Sequence, residues 1–64
     1  MSNYSIFVNR IQCKHCKDIL TSVTRNDFKM CSCGKVGVDG GEDYLRRLGC
    51  FEDYEELSIM ELED

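Results

Sequence analysis

Two closely spaced cysteine pairs constrain this chain more than any other feature of its sequence. The first pair lies in CKHC, residues 13–16, and the second lies in CSCG, residues 31–34. A chain of 64 residues rarely buries enough apolar surface to fold without an added constraint, such as disulfides or a bound metal. The cysteine pairs therefore predict how this chain is held together.

The spacing of the cysteines is typical of metal ligands. Two cysteines separated by one or two residues can wrap an ion from one tight turn, and structural zinc takes four ligands at tetrahedral corners. Gly34 suits the second turn because glycine accepts left-handed backbone angles at little cost. We therefore predict one structural Zn²⁺ bound by Cys13, Cys16, Cys31 and Cys33.

A redox dithiol is the competing interpretation of the first pair. That motif begins a helix after a strand in a βαβ unit, and this short, locally strand-rich chain does not provide such a unit. His15 is interpreted as a solvent-facing or supporting imidazole, because adjacent residues of a short loop rarely both reach one ion. Cys50 follows Gly49 among apolar neighbours, which favours a small buried hydrophobe over a reactive thiol.

The predicted fold class is a small metal-stabilised α+β domain, a zinc ribbon with one short helix. Residues rich in apolar and β-branched side chains predict strands, and Gly, Asn and Asp clusters predict the turns between them. The predicted strands are 4–11, 19–24, 28–30 and 35–38, with 19–24 and 28–30 forming a hairpin. Apolar residues at helical spacing predict a helix over 42–48. For the remainder we favour a turn at 52–55 followed by an extended segment, with a helix as the open alternative.

The expected organisation is one domain over residues 1–64. Its ribbon core covers about 4–39, and an acidic C-terminal segment covers 50–64. No stretch approaches the roughly 20 apolar residues of a membrane span, and the first ten residues lack the features of a signal peptide. We therefore expect a cytoplasmic protein without a membrane partner.

Charge is distributed unevenly along the chain. Residues 1–38 carry six basic and two acidic side chains, a net +4, whereas residues 39–64 carry two basic and ten acidic ones, a net −8. Nucleic-acid binding usually needs a strongly basic surface, and the overall charge here is −4 with a pI of 4.8. The balance favours a protein partner over a nucleic acid.

Four segments resemble a known family. The strings CKHCKDI, DFKMCSCG, VDGGEDYLRR and EDYEELS, within residues 10–58, are similar to small uncharacterised zinc-ribbon proteins of bacteriophages and prophages, chiefly of Gram-positive bacteria. The resemblance implies a metal site at the four paired cysteines and a setting inside a bacterial host. Small acidic phage proteins often bind and modulate a host protein, including components of host immunity.

The leading functional hypothesis is a non-enzymatic zinc-ribbon module that binds a protein, as a monomer or homodimer. No nucleophile with a base and no open metal position is recognisable, so an enzyme is not expected. The alternative is a nucleic-acid-binding ribbon whose acidic tail acts as a brake. Candidate partner-binding residues are aromatic, basic and acidic side chains of the second half: Tyr44, Arg46, Arg47, Glu52, Asp53, Glu55 and Glu56.

Overall fold

The computed structural model describes residues 3–63, which form two antiparallel sheets. The elements in chain order are β1 (Asn3–Cys13), β2 (Ile19–Ser22), β3 (Lys29–Met30), β4 (Gly37–Asp39), β5 (Arg46–Leu48), a 3₁₀ turn (Phe51–Asp53), β6 (Tyr54–Glu56) and β7 (Ile59–Glu63). None of the described residues forms a helix long and apolar enough to cross a membrane.

The first sheet is built around the long strand β1. Strand β2 pairs with one edge of β1, from Asn9 to Gln12, and β6 pairs with the other edge. Strand β7 pairs with the N-terminal part of β1, with a bulge between Ile6 and Val8. The predicted first and second strands are confirmed, as is the extended C-terminal segment after a short turn.

The second sheet has the order β3-β4-β5. The predicted hairpin between 19–24 and 28–30 is wrong, because β2 pairs with β1 and β3 pairs with β4. Each cysteine pair instead lies in the turn of its own hairpin, and residues 24–28 cross from one sheet to the other. The two cysteine turns are therefore carried by two different sheets.

The core lies where the two sheets meet. Its buried members come from both sheets and from both cysteine turns: Ile11, Cys13, Leu20, Cys31, Val36 and Val38. The partly buried Cys16 and Tyr54 pack against this core. On the first sheet, Ile11 and Leu20 lie directly opposite one another. So few apolar side chains form a small core, as expected for a chain of this length.

The predicted helix over 42–48 is wrong, and the predicted α+β class with it. Residues 41–43 form a turn and Arg46–Leu48 form β5, so the described residues are almost entirely β, and the 3₁₀ turn is their one helical element. The amide of Asn9 donates to the carbonyl of Tyr44 at 3.2 Å, which in a helix would accept the N–H of Leu48. Residues 46–48 instead pair with β4 along one edge.

Asn9 also joins the first sheet to the second. It is completely buried, and its amide donates to the carbonyls of Asp39 and Gly41 at 3.0 and 2.9 Å. Its side-chain oxygen accepts a hydrogen bond from Nη1 of Arg47 at 2.7 Å. One buried side chain on β1 thus fixes the turn after β4 and the strand that follows it.

Candidate metal centre

The first cysteine turn joins β1 to β2. The N–H of Cys13 donates to the carbonyl of Asp18 at 2.9 Å, and the N–H of Lys17 donates to the carbonyl of Cys13 at 3.0 Å. Lys17 has a φ of 68°, a left-handed angle that is uncommon for a residue with a side chain. This turn directs Cys13 into the core and leaves Cys16 half-buried.

The second cysteine turn joins β3 to β4 in a similar way. The N–H of Cys31 donates to the carbonyl of Val36 at 3.1 Å, and the N–H of Gly34 donates to the carbonyl of Cys31 at 3.0 Å. Gly34 has a φ of 75°, which confirms that this position needs a residue tolerant of left-handed angles. Cys31 is buried and Cys33 is exposed.

The two turns bring four sulfur atoms together. The Sγ atoms of Cys13, Cys16, Cys31 and Cys33 all lie within 4.8 Å of one another. The Sγ atom of Cys33 is 3.6 Å from that of Cys13 and 3.4 Å from that of Cys31, well beyond the ~2.05 Å of a disulfide. A tetrahedron with metal–sulfur distances near ~2.3 Å has edges of about 3.8 Å, so the four cysteines are close enough together to hold one metal ion.

Backbone N–H groups favour the thiolate form of Cys16. Those of Asp18 and Cys33 lower the pKa of the Cys16 thiol from 9.0 to about 6, against the opposing effect of burial. A thiolate at neutral pH is the form that binds a metal ion. The lowered pKa of Cys16 therefore favours it as a metal ligand.

The second pair shows the effect of crowding four thiols. Burial raises the pKa of Cys31, but the N–H of Val36 and neighbouring groups outweigh it, so that this pKa is lowered. The N–H of Lys35 lowers the pKa of Cys33, yet burial and the adjacent thiols raise it to about 12 overall. Four thiols at this spacing cannot all ionise without a cation among them. A divalent metal removes that conflict.

The contact that links the two turns was not predicted from the sequence. The carboxylate of Asp18 accepts hydrogen bonds from the N–H of Ser32, at 2.7 Å, and from its hydroxyl. These hydrogen bonds lower the pKa of Asp18 below its ordinary 3.8. A residue after the first pair and one inside the second pair thus lock the turns together.

His15 lies on the outer side of the first turn. Its Nε2 is 2.7 Å from Oδ1 of Asp53, and it is not one of the four clustered ligands. The N–H of Lys14 donates to the carbonyl of Asp53 at 2.9 Å. This placement agrees with the interpretation of His15 as a supporting residue, and it ties the turn to the C-terminal segment.

The candidate partner-binding residues fall into two groups. Arg47 and Glu56 form an ion pair with each other through two hydrogen bonds, and Arg47 is mostly buried. Asp53 is the partner of His15. The remaining candidates are exposed side chains: Tyr44, Arg46, Glu52 and Glu55.

The expectation that Cys50 is buried is wrong, because its thiol is exposed. Its apolar neighbour Phe51 is itself 81% exposed, so apolar residues nearby in sequence did not indicate burial here. Both residues begin the 3₁₀ turn on the surface. Cys50 does not belong to the four-sulfur cluster.

Comparison with known protein families identifies a match. A family model described as "Domain of unknown function (DUF7695)" matches residues 5–49, more than half of the chain and all four clustered cysteines. No curated protein and no solved structure matches the chain. The chain belongs to the family described as Domain of unknown function (DUF7695).

Proposed function

We propose that this chain is a non-enzymatic protein-binding module whose two sheets are held together by one structural Zn²⁺. The observation that carries the metal assignment is the approach of four Sγ atoms to within 4.8 Å. Cys13 and Cys31 would hold the ion from the core, and Cys16 and Cys33 from the surface. When bound, the ion supplies a link between sheets that share only a small apolar core.

A structural role fits the ligand set better than a catalytic one. Catalytic zinc sites use about three protein ligands and leave a position open for water or substrate, whereas four thiolates close the coordination shell. Thiolates also suit zinc better than magnesium or calcium, which prefer oxygen ligands.

The binding surface that we propose centres on the acidic residues 52–56 of the C-terminal segment. Glu52 and Glu55 are exposed, while Asp53 and Glu56 pair with His15 and Arg47. Such a surface fits a basic groove on another protein, since complementary potentials speed association and exclude wrong partners. Tyr44 and Arg46 are exposed residues of types favoured at interfaces.

The setting that we propose is a bacteriophage or prophage genome, with the protein acting in the cytoplasm of the bacterial host. The similarity of the cysteine and VDGGEDYLRR segments to phage-encoded proteins supports this setting. The partner that we propose is a host protein with a basic groove, such as a defence factor or a nucleic-acid-handling protein.

The test begins with capture of host proteins on the zinc-loaded chain. Each captured protein is purified, and its affinity is measured by calorimetry at two salt concentrations. We expect affinity to fall with salt, and to fall further in the double variant Glu52→Lys/Glu55→Lys than in Glu42→Lys/Asp43→Lys, an equal charge change at two other exposed residues. Affinity that is indifferent to salt and to both variants would rule out electrostatic docking.

One observation supports nucleic-acid binding as a second candidate. The carboxylate of Asp53 lies near the basic side chains of Lys14 and Lys35, so an acidic residue already faces the cysteine turns. Removing the tail is not a usable test, because it would delete β6 and β7. If this candidate is right, Asp53→Asn strengthens binding to a DNA duplex; absence of binding by both proteins in a gel shift excludes it.

A further inference from the structure

The N-terminal part of β1 extends beyond the rest of its sheet. The register of β6 continues into that of β7 along one edge of β1, from Cys13 opposite Tyr54 to Val8 opposite Ile59. On the other edge, β2 pairs only with the residues from Asn9 onward. That other edge of residues 3–8 therefore has no strand beside it within residues 3–63, and we call it the open edge.

The open edge lacks the features that usually prevent strands from pairing with other chains. Residues 3–8, NYSIFV, contain no charged residue and no proline. Charges or proline on an edge normally block such pairing. At β2, by contrast, Nζ of Lys29 donates to the carbonyl of Thr21 at 2.9 Å. Directly after this strand, the N–H of Val23 donates to the carboxylate of Asp27 at 2.8 Å. The sequence of β7 contains two glutamates.

The same part of the molecule exposes large apolar side chains. Phe7 and Ile59 are each 53% exposed and Met60 is 46% exposed, and all three lie at the bulge between β1 and β7. A two-stranded ribbon is marginally stable alone in water and gains from further strands beside it. The ribbon formed by β7 and residues 3–8 of β1 therefore has both unpaired backbone groups and apolar surface available for an interface.

We propose that the open edge is the interface of a symmetric homodimer, in which residues 3–8 of two copies pair as antiparallel strands. The product is a four-stranded sheet in the order β7-β1-β1-β7. A strand that pairs with its own copy across a two-fold axis must not oppose like charges, and an uncharged segment meets this condition. The axis passes near Ser5, the position between Asn3 and the bulge.

Salt dependence separates this interface from the partner-binding surface described above. Each copy has a net charge of −4 before the metal site is counted, and four thiolates with one Zn²⁺ make it more negative. Two such copies repel one another, so added salt should strengthen dimerisation. Docking on a basic partner should weaken under the same change, so that one proposal can fail while the other holds.

Sedimentation equilibrium of the zinc-loaded full chain tests the proposal. We expect a concentration-dependent rise from 7.4 kDa to twice that mass, with the transition at lower concentration in high salt. Isotope-filtered NMR on an equal mixture of labelled and unlabelled wild-type protein should show contacts between the β1 strands of two copies. A wild-type protein that stays monomeric at every concentration and salt overturns the proposal, as does a dimer without those contacts.

Charge-swap variants at Ser5 provide a second test that does not rest on loss of binding alone. Ser5→Glu and Ser5→Lys should each weaken the homodimer at least about ten-fold, and mixing them should restore a heterodimer. Ile19→Glu, at an exposed residue of β2 that lies opposite Gln12 and away from the open edge, should leave the dimer unchanged. Dimerisation that is equally strong in Ser5→Glu, or a mixture that stays monomeric while each variant retains its zinc, would overturn the proposal.

Discussion

Replacing Asn9 with alanine should destabilise the protein severely, although Asn9 is neither a metal ligand nor part of the apolar core. Its amide donates to three carbonyls, at Asp39, Gly41 and Tyr44, and its oxygen accepts from Arg47. Alanine would leave these groups buried without their partner, because the side chain of Asn9 is completely inaccessible to solvent. The connection between the two sheets would then depend on the metal site and the small core.

The expected loss can be worked out from these contacts. The two amide hydrogens contribute about 0.5–1.5 kcal/mol per neutral hydrogen bond, and the bond from the Arg47 guanidinium contributes about 1.5–3 kcal/mol. For two amide hydrogen bonds and one guanidinium bond the total is about 2.5–6 kcal/mol, and water entering the truncated site would recover part of it. At about 0.05–0.15 kcal/mol per residue, a chain of this size has only about 3–10 kcal/mol of stability. We therefore expect a loss of about 3 kcal/mol.

Urea unfolding followed by circular dichroism measures this loss in zinc-saturated protein. Asn26→Ala is the matched control, since Asn26 lies in an exposed turn and should change stability by less than about 0.5 kcal/mol. A loss below about 1 kcal/mol in Asn9→Ala would refute the reasoning, because it would mean that the buried amide does not hold the second sheet in place.

Three further predictions concern a turn, an ion pair and the fifth cysteine. Gly41→Ala should lower the free energy of unfolding by several kcal/mol, because its new methyl group would lie 2.4 Å from the carbonyl oxygen of Thr24. The methyl group of Gly34→Ala would contact no other atom, so this variant should lose only about 1 kcal/mol for its left-handed φ. Equal losses of the two variants in urea unfolding would contradict this prediction. Although burial raises the pKa of Glu56, its bonds to Arg47 and a serine hydroxyl outweigh that effect and lower the pKa below the ordinary 4.5. The stability that this ion pair contributes is therefore complete above pH 4.5 and is lost as the pH falls through the lowered pKa. The difference between the urea midpoints of the wild type and Glu56→Gln should become smaller in acid, and a difference that stays constant with pH would be evidence against the pair. Cys50→Ser should retain one metal per chain by elemental analysis, and loss of the metal would place Cys50 at the site.

The sequence predicted the site better than it predicted the fold. The cysteine spacing identified the four residues that come together, because ligands within one short turn are close in any fold. The sequence did not reveal the pairing of β1 with β7, because the paired residues are more than fifty residues apart and their pairing depends on the register of the whole sheet. The predicted hairpin failed for a different reason, because each of its strands pairs across a cysteine turn with its other neighbour in the chain, β2 with β1 and β3 with β4.

The segment VDGGEDYLRR shows how tertiary contacts override a local pattern. Its spacing of apolar residues favours a helix, yet Asn9 takes the carbonyl of Tyr44, and Arg47 reaches Glu56 on the other sheet. Asn9 lies 35 residues from Tyr44, and Glu56 lies nine residues beyond Arg47. Both separations exceed the three or four residues between neighbouring side chains on a helix, so the local pattern does not reveal these contacts. The charged residues in that segment therefore gave no local indication of a strand.

The central claim is that a metal at the four cysteines closes the fold, and metal counting during unfolding tests it most directly. Native mass spectrometry of the purified chain should find one zinc per chain, and stepwise removal by a chelator should abolish the circular dichroism of the folded state in proportion to the zinc lost. Readdition of one equivalent should restore it. A chain that keeps its folded spectrum and its cooperative unfolding after all metal has been removed would contradict the account.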